Sequence, residues 1–450
     1  MQQRPAAKLR AVVTSRDVVL VVALSCASLI CAFAFKAQCL APWDGRQFSR
    51  LCYNDIQPLF YARSVATTFP YIHGVLHKGQ LSNGAIEYPV LTGLFMYASA
   101  HLGGWLPFLG RADASSANEY LYDSALLLAP FALITSILLA SLTRTRTLLW
   151  AIAPSLILYA FHNWDLLVVT AAVAGFWAWH RERTGWAAFW FGIGGALKLY
   201  PFMFLAPLML ERIMVHDGKG AGKTFLAGLL PPVLINLPFI LINRSGWFAT
   251  YAFHEQRWAD YNSIWAWFAG AHFAGVTMPS LTVGQLNAVS ASLTGGFMLM
   301  ALILGWVLAR QSRQYPTVQV SGAMLASFLL WNKVHSPQYA LWILPFFVLL
   351  DVALGWWIAY EIADLILYVG IFRWFYDFVY RHTDFTIAKR ALIFGVWSRA
   401  VLLLALFAVF LIADVARGVR GRPLGTSPSG VASHPPASVH DVGEQMPVQG

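Results

Sequence analysis

Long apolar runs separated by short polar turns dominate the pattern of this chain. A helix that crosses a bilayer buries about 20 mostly apolar residues, so repeated runs of this kind are typical of a polytopic membrane protein. One span each is predicted for residues 18–35, 123–142, 148–160, 166–179, 224–242, 287–308, 318–331, 340–350, 352–372 and 392–415. With the run 186–210 counted as two half-spans, the pattern predicts an all-α bundle of about 12 transmembrane helices.

The basic turns between the runs set the orientation. Cytoplasmic loops of membrane proteins carry an excess of Lys and Arg. The basic segments 143–147 and 180–183 and the N-terminal tail 1–17 are therefore predicted to face the cytoplasm. Both turns can lie inside only if residues 89–109 stay on the outer surface instead of crossing the membrane.

This arrangement of crossings places two sizeable segments outside. The first outer loop is predicted over residues 36–122, with amphipathic surface helices at 56–69 and 89–109. The second is predicted over 243–286. The tail 416–450 is rich in Pro, Gly and Ser, which predicts a disordered segment on the cytoplasmic side.

Residues 186–210 have basic flanks on both sides and contain Gly192, Gly194, Gly195, Lys198 and Pro201 in their middle. One straight span would place one basic flank outside. Two short helices that enter and return keep both flanks inside and put Lys198 at the outer tip. Broken helices at membrane depth occur where they line a cavity, so this hairpin indicates a functional site.

Composition agrees with a membrane protein. The chain is 58% hydrophobic and 12% charged, with a mean hydropathy of +0.58, whereas soluble domains carry about 25% charged residues. The net charge of +10 is spread over loops and termini, which encodes orientation and does not predict nucleic-acid binding. Cys39 and Cys52 share the first outer loop; they could pair in an oxidising compartment or remain two free thiols.

Candidate chemistry collects on the predicted outer face. Ionisable groups at membrane boundaries are costly and indicate function by default. Carboxylates suit general-base work on a hydroxyl, and Lys and His suit an anionic head group. The polar residues predicted on this side are Asp55, Glu87, Asn163, Asp165, Lys198, Lys333, His335 and Gln338.

Plainer interpretations exist for several of these residues. Asp55 could be a solvated loop carboxylate, and Asp165 could cap the helix that follows it. Glu361 and Asp364, one turn apart in a span, could line a pathway or lie near its cytoplasmic end. The segment 218–224 does not fit a phosphate-binding loop, because position 217 is Asp and not Gly, and it is predicted to be a basic cytoplasmic loop.

Five motifs in order along the chain carry a resemblance. They are Asn54-Asp55, Glu87-Tyr88-Pro89, Asn163-Trp164-Asp165, the segment 195–201 (GALKLYP) and the segment 332–339 (NKVHSPQY). Over about residues 17–415 the chain resembles the GT-C glycosyltransferases. It is most similar to glycosyltransferase family 87, the polyprenyl-phosphate-mannose-dependent mannosyltransferases. The hairpin also looks like that of the eukaryotic GPI mannosyltransferase catalytic subunit.

The resemblance implies that residues 18–415 form a GT-C-type transmembrane catalytic domain in the cell membrane, with its active site facing outside. The donor would be a sugar, most simply mannose, on a polyprenyl phosphate, and the acceptor a glycolipid or glycan hydroxyl. Asp55 would be the general base, a role that Glu87 contests. The lipid phosphate would be neutralised without a metal or cofactor by Lys198, Lys333 and His335.

Substrate-binding roles are also predicted for Arg63, Tyr88, Asn163, Asp165, Tyr200 and Gln338. At Val90 the chain departs from the family, which often has a second proline there. One carboxylate and a direct attack predict inversion at the anomeric carbon. The alternative function is a transporter or lipid flippase without chemistry, which would favour inverted repeats and midplane charges; the sequence shows no repeat.

Overall fold

The computed structural model describes residues 16–105, 112–269, 272–273, 276–312, 314–384 and 386–419. Most of the predicted tails 1–17 and 416–450, and the end of the predicted helix 89–109, lie outside these residues. The described chain is mostly helical. Its first part contains α1 (Arg16–Ala37), α2 (Arg46–Ser49), α3 (Ile56–Ala62), β1 (Val75–His77), β2 (Gln80–Ser82), α4 (Val90–Ala100) and α5 (Leu102–Trp105).

The middle of the chain builds the centre of the bundle. It contains α6 (Ala117–Thr143), α7 (Leu148–Ala151), α8 (Pro154–Tyr159), α9 (Asp165–His180), α10 (Thr184–Leu197), α11 (Leu205–Met214), α12 (Gly218–Ile242), α13 (Arg244–Gln256) and α14 (Trp265–Phe268). Two 3-10 turns, Arg144–Thr147 and Tyr200–Phe204, lie between these helices.

The last part adds a second small hairpin and long helices. It contains β3 (His272–Phe273), β4 (Val276–Thr277), α15 (Val283–Ser312), α16 (Thr317–Trp331), the 3-10 turn Pro337–Tyr339, α17 (Ala340–Leu349), α18 (Leu354–Tyr380) and α19 (Ile387–Ile412). The β1–β2 and β3–β4 pairs are antiparallel. These two short hairpins are additions to the predicted all-α fold.

Long apolar helices make this a multi-pass membrane protein. Within the described ranges, 6 helices are long and apolar enough to cross a bilayer, and they coincide with α1, α6 continuing to Ala151, α12, α15, α18 and α19. Several other helices are shorter, including α4, α9 and α16. The count of about 12 crossings stays a prediction.

Three predicted elements differ from the structure for local reasons. The helix predicted at 56–69 ends at Ala62, because the chain reverses at Ser64, which has φ 50°. The span predicted at 148–160 is broken into α7 and α8, because Ala153 is extended before Pro154. Segment 218–224, predicted to be a loop, forms the first turns of α12, because the Asp217 carboxylate accepts a hydrogen bond from the Gly220 amide.

The predicted hairpin 186–210 is confirmed. α10 ends at Leu197, Lys198 is extended with φ −154° and ψ 143°, and the chain returns through the 3-10 turn and α11. The start of α10 and the end of α11 also meet, because Arg212 donates a hydrogen bond to the Thr184 hydroxyl. At the tip, a Cβ on Gly194 would approach Pro201 to 2.6 Å, so the close return requires glycine there.

The two basic turns lie at one end of the bundle. Arg146 donates to Asp351 and to the Val352 carbonyl, and the Asp351 amide donates to the Asp414 carbonyl. The second turn joins the same end, since Glu211 accepts from both Trp179, which precedes that turn, and Thr317. A further hydrogen bond links Gln319 of α16 to the Ala413 carbonyl.

The predicted outer segments meet at the opposite end. The Thr92 hydroxyl donates to the Leu197 carbonyl, and the Thr250 hydroxyl donates to the Ile86 carbonyl. The Asp260 amide donates to the Lys333 carbonyl. Cys39 and Cys52 form a disulfide that closes the start of the first outer loop, which settles their pairing.

Which end faces the cytoplasm is testable by labelling. In a Cys26→Ala/Cys31→Ala background, Thr145→Cys and Glu182→Cys should resist a membrane-impermeant maleimide applied to intact cells, because positive-inside places both basic turns inside. The control is Tyr61→Cys on α3, whose side chain is exposed and which should be labelled. Labelling of both turn positions without permeabilisation would invert the topology.

Candidate active site

Asp55 stands at the meeting point of three segments that are distant in sequence. Its backbone amide donates to the His162 carbonyl at 2.8 Å, which fixes the start of α3 against the turn between α8 and α9. Its carboxylate accepts from the Asn163 amide at 2.8 Å and from the Gln338 amide at 3.5 Å. With 23% of its side chain exposed, Asp55 is held rigidly but remains reachable from a cavity.

The surroundings of Asp55 favour its protonated form. Burial raises the pKa of this carboxyl from 3.8 to about 6, and the nearby charge of Glu87 adds to the shift. Hydrogen bonds from Asn163 and Tyr53 and the positive charge of Lys198 oppose it. At neutral pH Asp55 is therefore ionised, with the proton affinity that suits a general base better than that of an ordinary aspartate.

Glu87, the competing candidate for the base, is already engaged. The Arg63 guanidinium donates two hydrogen bonds to its carboxylate, of 2.5 and 3.1 Å, and both side chains are 14% exposed. Bidentate pairs of this kind are strong and oriented. Arg63 thus holds Glu87 in an ion pair. Asp55, whose carboxylate accepts hydrogen bonds from neutral amides, is the carboxylate that is not held in this way.

Asn163 joins the first outer loop to the bundle. It is fully buried, and its amide nitrogen lies 2.8 Å from Asp55 Oδ2 and 2.6 Å from the Tyr88 hydroxyl oxygen. Its own oxygen accepts from the Trp164 amide. The amide's orientation is therefore fixed, and it presents its donors to the carboxylate and to the phenol.

Lys198 and Asp165 form a buried ion pair at 2.6 Å. Asp165 accepts from Trp342 through the same oxygen at 2.7 Å. Asp165 was predicted as a possible helix cap, but its side chain makes no capping hydrogen bond and serves as the counter-ion of Lys198 instead. The sequence pattern could not show this role, because Lys198, the partner of Asp165, lies far away in sequence.

Aromatic rings surround the Lys198 ammonium. Its Nζ lies 5.4, 4.9 and 5.1 Å from the ring centroids of Tyr88, Tyr339 and Trp342. Trp342 is stacked between Tyr339 at 3.7 Å and Tyr200 at 4.2 Å. Cation–π attraction and stacking hold the ammonium at the wall of the cavity.

The structure separates the two basic residues of the 332–339 turn. The Lys333 ammonium donates to the carbonyls of Glu255 and Arg257, at 3.1 and 2.6 Å, beside the site. Burial and the nearby charge of Arg257 lower the pKa of Lys333.

The prediction that His335 neutralises a phosphate is wrong in this structure. Its ring is buried away from the cavities that Asp55 lines, with Nδ1 donating to the Leu329 carbonyl at 2.7 Å. Burial and then Arg399 lower the pKa of His335 well below its usual range, so the ring is neutral. His335 is a packing residue of the turn.

Three neighbouring cavities lie at the site, and Asp55 lines two of them. A large cavity of about 700 Å³ lies between α13, α15 and α16, and its lining includes Lys198, Lys333 and Met298. A polar cavity of about 270 Å³ contains Asp55 and shares Lys198 and Glu87 with the large one.

The third, an aromatic cavity of about 450 Å³, lies on the other side of Asp55. Its walls include Phe48, Tyr53 and Phe372, and Asp55 lines both it and the polar cavity. The carboxylate therefore stands between two chambers, so that a group held in each can meet beside it.

Sequence reasoning missed several residues of this site. His254 and Arg257 line the polar cavity, and His254 Nε2 donates to the Glu87 carbonyl at 2.8 Å. Arg257 pairs with Asp260. All three lie in the polar and aromatic segment 254–267, whose composition was the available signal, but the pairing of that segment with the first loop could not be read from it. Within the described ranges no group of three His, Cys, Asp or Glu side chains is arranged to hold a metal ion.

Asp55→Asn should stabilise the protein at neutral pH. Because the folded-state pKa lies above 3.8, ionisation of Asp55 weakens the fold as pH rises through about 6. Removing that charge should raise the free energy of unfolding by about 1–3 kcal/mol at pH 7.5 and by less at pH 5. Thermal unfolding of the purified protein at both values measures this, with Asp44→Asn, an exposed carboxylate of the same loop, as control. Equal midpoints for wild type and variant at pH 7.5 would contradict it.

The comparisons with known proteins add no assignment. No family model matches the chain, and no curated protein matches it significantly.

Proposed function

We propose that this protein is a membrane glycosyltransferase that moves a sugar from a polyprenyl-phosphate donor to a glycolipid or glycan hydroxyl, with Asp55 as the general base. One observation carries the proposal. A carboxylate with a pKa of about 6 stands between two cavities, one reached past basic residues and the other walled by aromatic rings. Two reactants can approach such a base from opposite sides.

The large cavity suits the donor's lipid chain. Part of its wall is formed by Ala291, Thr294 and Met298 of α15, a candidate membrane helix. The outer face of that helix exposes large apolar side chains such as Leu299 and Ile303, as expected of a helix bordered by lipid. A prenyl chain can therefore lie along α15 while its head group reaches Lys198.

Cationic groups line the path of the phosphate. Lys198 and Lys333 border the large cavity, and Lys198 and Arg257 border the polar one. Lys198 uses one of its three N–H groups on Asp165, which leaves two for an incoming anion. Arg257 pairs with Asp260 through one terminal nitrogen, so other N–H groups of its fork remain for phosphate oxygens.

The aromatic cavity suits the acceptor. The rings of Phe48 and Tyr53 are stacked with centroids 5.5 Å apart, and Phe372 lies 5.2 Å from Tyr53. Flat aromatic walls with a few polar groups bind ligands that have both apolar faces and hydroxyls. A sugar hydroxyl held there points toward Asp55.

The chemical step balances without any further reactant. Asp55 takes the proton of the acceptor hydroxyl as its oxygen attacks the anomeric carbon. The bond between that carbon and the phosphate oxygen breaks, so the donor phosphodiester leaves as a polyprenyl phosphate with one more negative charge. Lys198 and Arg257 stabilise this developing charge. Attack opposite the leaving group inverts the anomeric carbon.

Mannose, the plasma membrane and an outward-facing site are part of the proposal, supported by the motif resemblance and the distribution of basic turns. The transporter or flippase alternative receives no comparable support. The buried charges Asp364 and Arg399 pair with each other at 3.2 Å. The cavity beside Arg399 measures only about 10 Å³, which is about the volume that one water needs and far too small for a substrate path.

Transfer should depend on Asp55 far more than on Glu87. In purified protein with polyprenyl-phosphate mannose and glycolipid acceptors, Asp55→Asn should lower kcat by about 100-fold or more, the usual contribution of a general base. Glu87→Gln keeps the base and should lose less, and Asp44→Asn should match wild type. A folded Asp55→Asn protein with wild-type kcat would eliminate Asp55 as the base, and a wild type inactive with every polyprenyl-phosphate sugar would overturn the proposal.

The rate should also follow the ionisation of Asp55. Since its pKa is raised to about 6, kcat/KM should be constant well above that pH and fall about tenfold per unit below it, as the base becomes protonated. Initial rates between pH 5 and 8 measure this. A profile that stays flat down to pH 5 would assign proton removal to another group.

A further inference from the structure

Lys36 is a fully buried lysine that neither the sequence pattern nor the proposed reaction explains. It lies in the last turn of α1, directly behind the candidate active site. Burying an ammonium costs several kcal/mol unless partners replace its water. Its hydrogen-bond partners in the described chain are neutral groups from three segments: the Tyr53 carbonyl at 2.7 Å, the Tyr368 hydroxyl at 3.0 Å and His162 Nδ1 at 3.3 Å.

Two of these three contacts have only one possible direction. A carbonyl only accepts, and the Tyr368 hydroxyl donates its own proton to the Leu51 carbonyl at 2.5 Å. Both oxygens therefore accept from Lys36. An ammonium has a third N–H that His162 Nδ1 can accept, whereas an uncharged Lys36 would instead accept from an Nδ1–H ring. The three acceptors match the three protons of a charged lysine.

This arrangement determines the protonation of His162. Burial, and then the charge of Lys36, lower the pKa of this histidine well below its usual range, so its ring is neutral. A neutral imidazole has one N–H, so when Nδ1 accepts from a charged Lys36 the proton lies on Nε2. Nε2 lies 4.0 Å from Asp55 Oδ2, and the His162 carbonyl accepts from the Asp55 amide.

We propose that Lys36 and His162 are positioning residues for Asp55, an inference that rests on the proposed function. Lys36 holds the His162 ring in the Nε2–H tautomer, and that N–H dipole faces the carboxylate and favours its ionised, oriented form. Lys36 also holds the backbone of Tyr53, whose side chain hydrogen-bonds Asp55. A distance of 4.0 Å is longer than a hydrogen bond, and such contacts commonly tighten in the substrate complex.

Matched substitutions of His162 separate positioning from packing. The amide nitrogen of glutamine reaches the place of Nε2, so His162→Gln keeps the donor, whereas His162→Phe keeps the ring's bulk and loses it. His162→Phe should lower kcat about tenfold with KM for the donor changed less than about twofold, and His162→Gln should recover most of that loss. Equal losses in both variants, or a loss confined to KM, would overturn the role of the N–H.

Lys36 is tested through its coupling to His162. Lys36→Met keeps the length of the side chain and removes the charge, and it should lower kcat severalfold. Lys36→Met combined with His162→Phe should lose much less than the product of the two single losses, because one residue acts through the other. Tyr368→Phe, which keeps the Lys36–His162 contact, serves as the control. A kcat loss in the double variant that equals the product of the two single losses would refute the coupling.

A measurement without substrate keeps this inference separate from the proposed function. In protein labelled with ¹⁵N-histidine, the signal absent from His162→Gln identifies His162, and its nitrogen shifts report the tautomer. We expect the His162 ring to be the Nε2–H tautomer in wild type and in Asp55→Asn. In the double variant Tyr368→Phe/Lys36→Met, we expect a mixture of the Nε2–H and Nδ1–H tautomers. A wild-type Nδ1–H ring would overturn the inference even if transfer is found. An Nε2–H ring in a protein without transfer would reject only the proposed function.

Discussion

The ion pair between Lys198 and Asp165 is the constraint on which the rest of the site depends. It joins the end of α10 to the start of α9, and Trp342 of α17 donates to the same carboxylate. A buried charge without its partner costs several kcal/mol, so these three helix ends must meet at this place. Their meeting sets the position of Asn163, two residues before Asp165, and through Asn163 the positions of Asp55 and Tyr88.

The site lies at the ends of short helices. α9 has 16 residues and α10 has 14, which correspond to about 24 and 21 Å at 1.5 Å per residue, less than the roughly 30 Å of a bilayer core. α6, with 27 residues, is about 40 Å long and packs against α9, and α12, with 25 residues, is about 38 Å long and packs against α10. Short helices surrounded by long ones leave a recess at one end of the bundle. In the proposed reaction, such a recess would bring a lipid-borne head group and a polar acceptor together without exposing unpaired backbone to lipid.

The environment of Asp55 raises the proton affinity of its carboxylate and lowers the stability of the fold. Burial raises the pKa of the carboxyl, which weakens the fold at neutral pH but gives Asp55 a proton affinity suited to the proposed role of general base. Asn163 and Gln338 donate hydrogen bonds to the carboxylate, the His162 ring lies beside it on the wall of the aromatic cavity, and Lys36 lies behind His162. Glu87, by contrast, is neutralised by Arg63, so two carboxylates of one loop acquire different chemistry from their neighbours.

The sequence by itself determined the membrane class, most of the long helices, the hairpin at Lys198 and the grouping of the basic turns, because apolar periodicity, Gly and Pro act locally and charge placement follows one rule. It also placed Asp55, Asn163 and Lys198 among the site residues, since polar groups in an apolar chain are costly. Only the tertiary structure decided that Asp165 pairs with Lys198 and does not cap its helix, that His335 turns away from the cavity, and that Arg257 and Lys36 belong beside the site. The contacts of Asp165, Arg257 and Lys36 each involve a partner more than 30 residues away. Hydrogen bonds and burial between distant segments are set by packing, which no local pattern records.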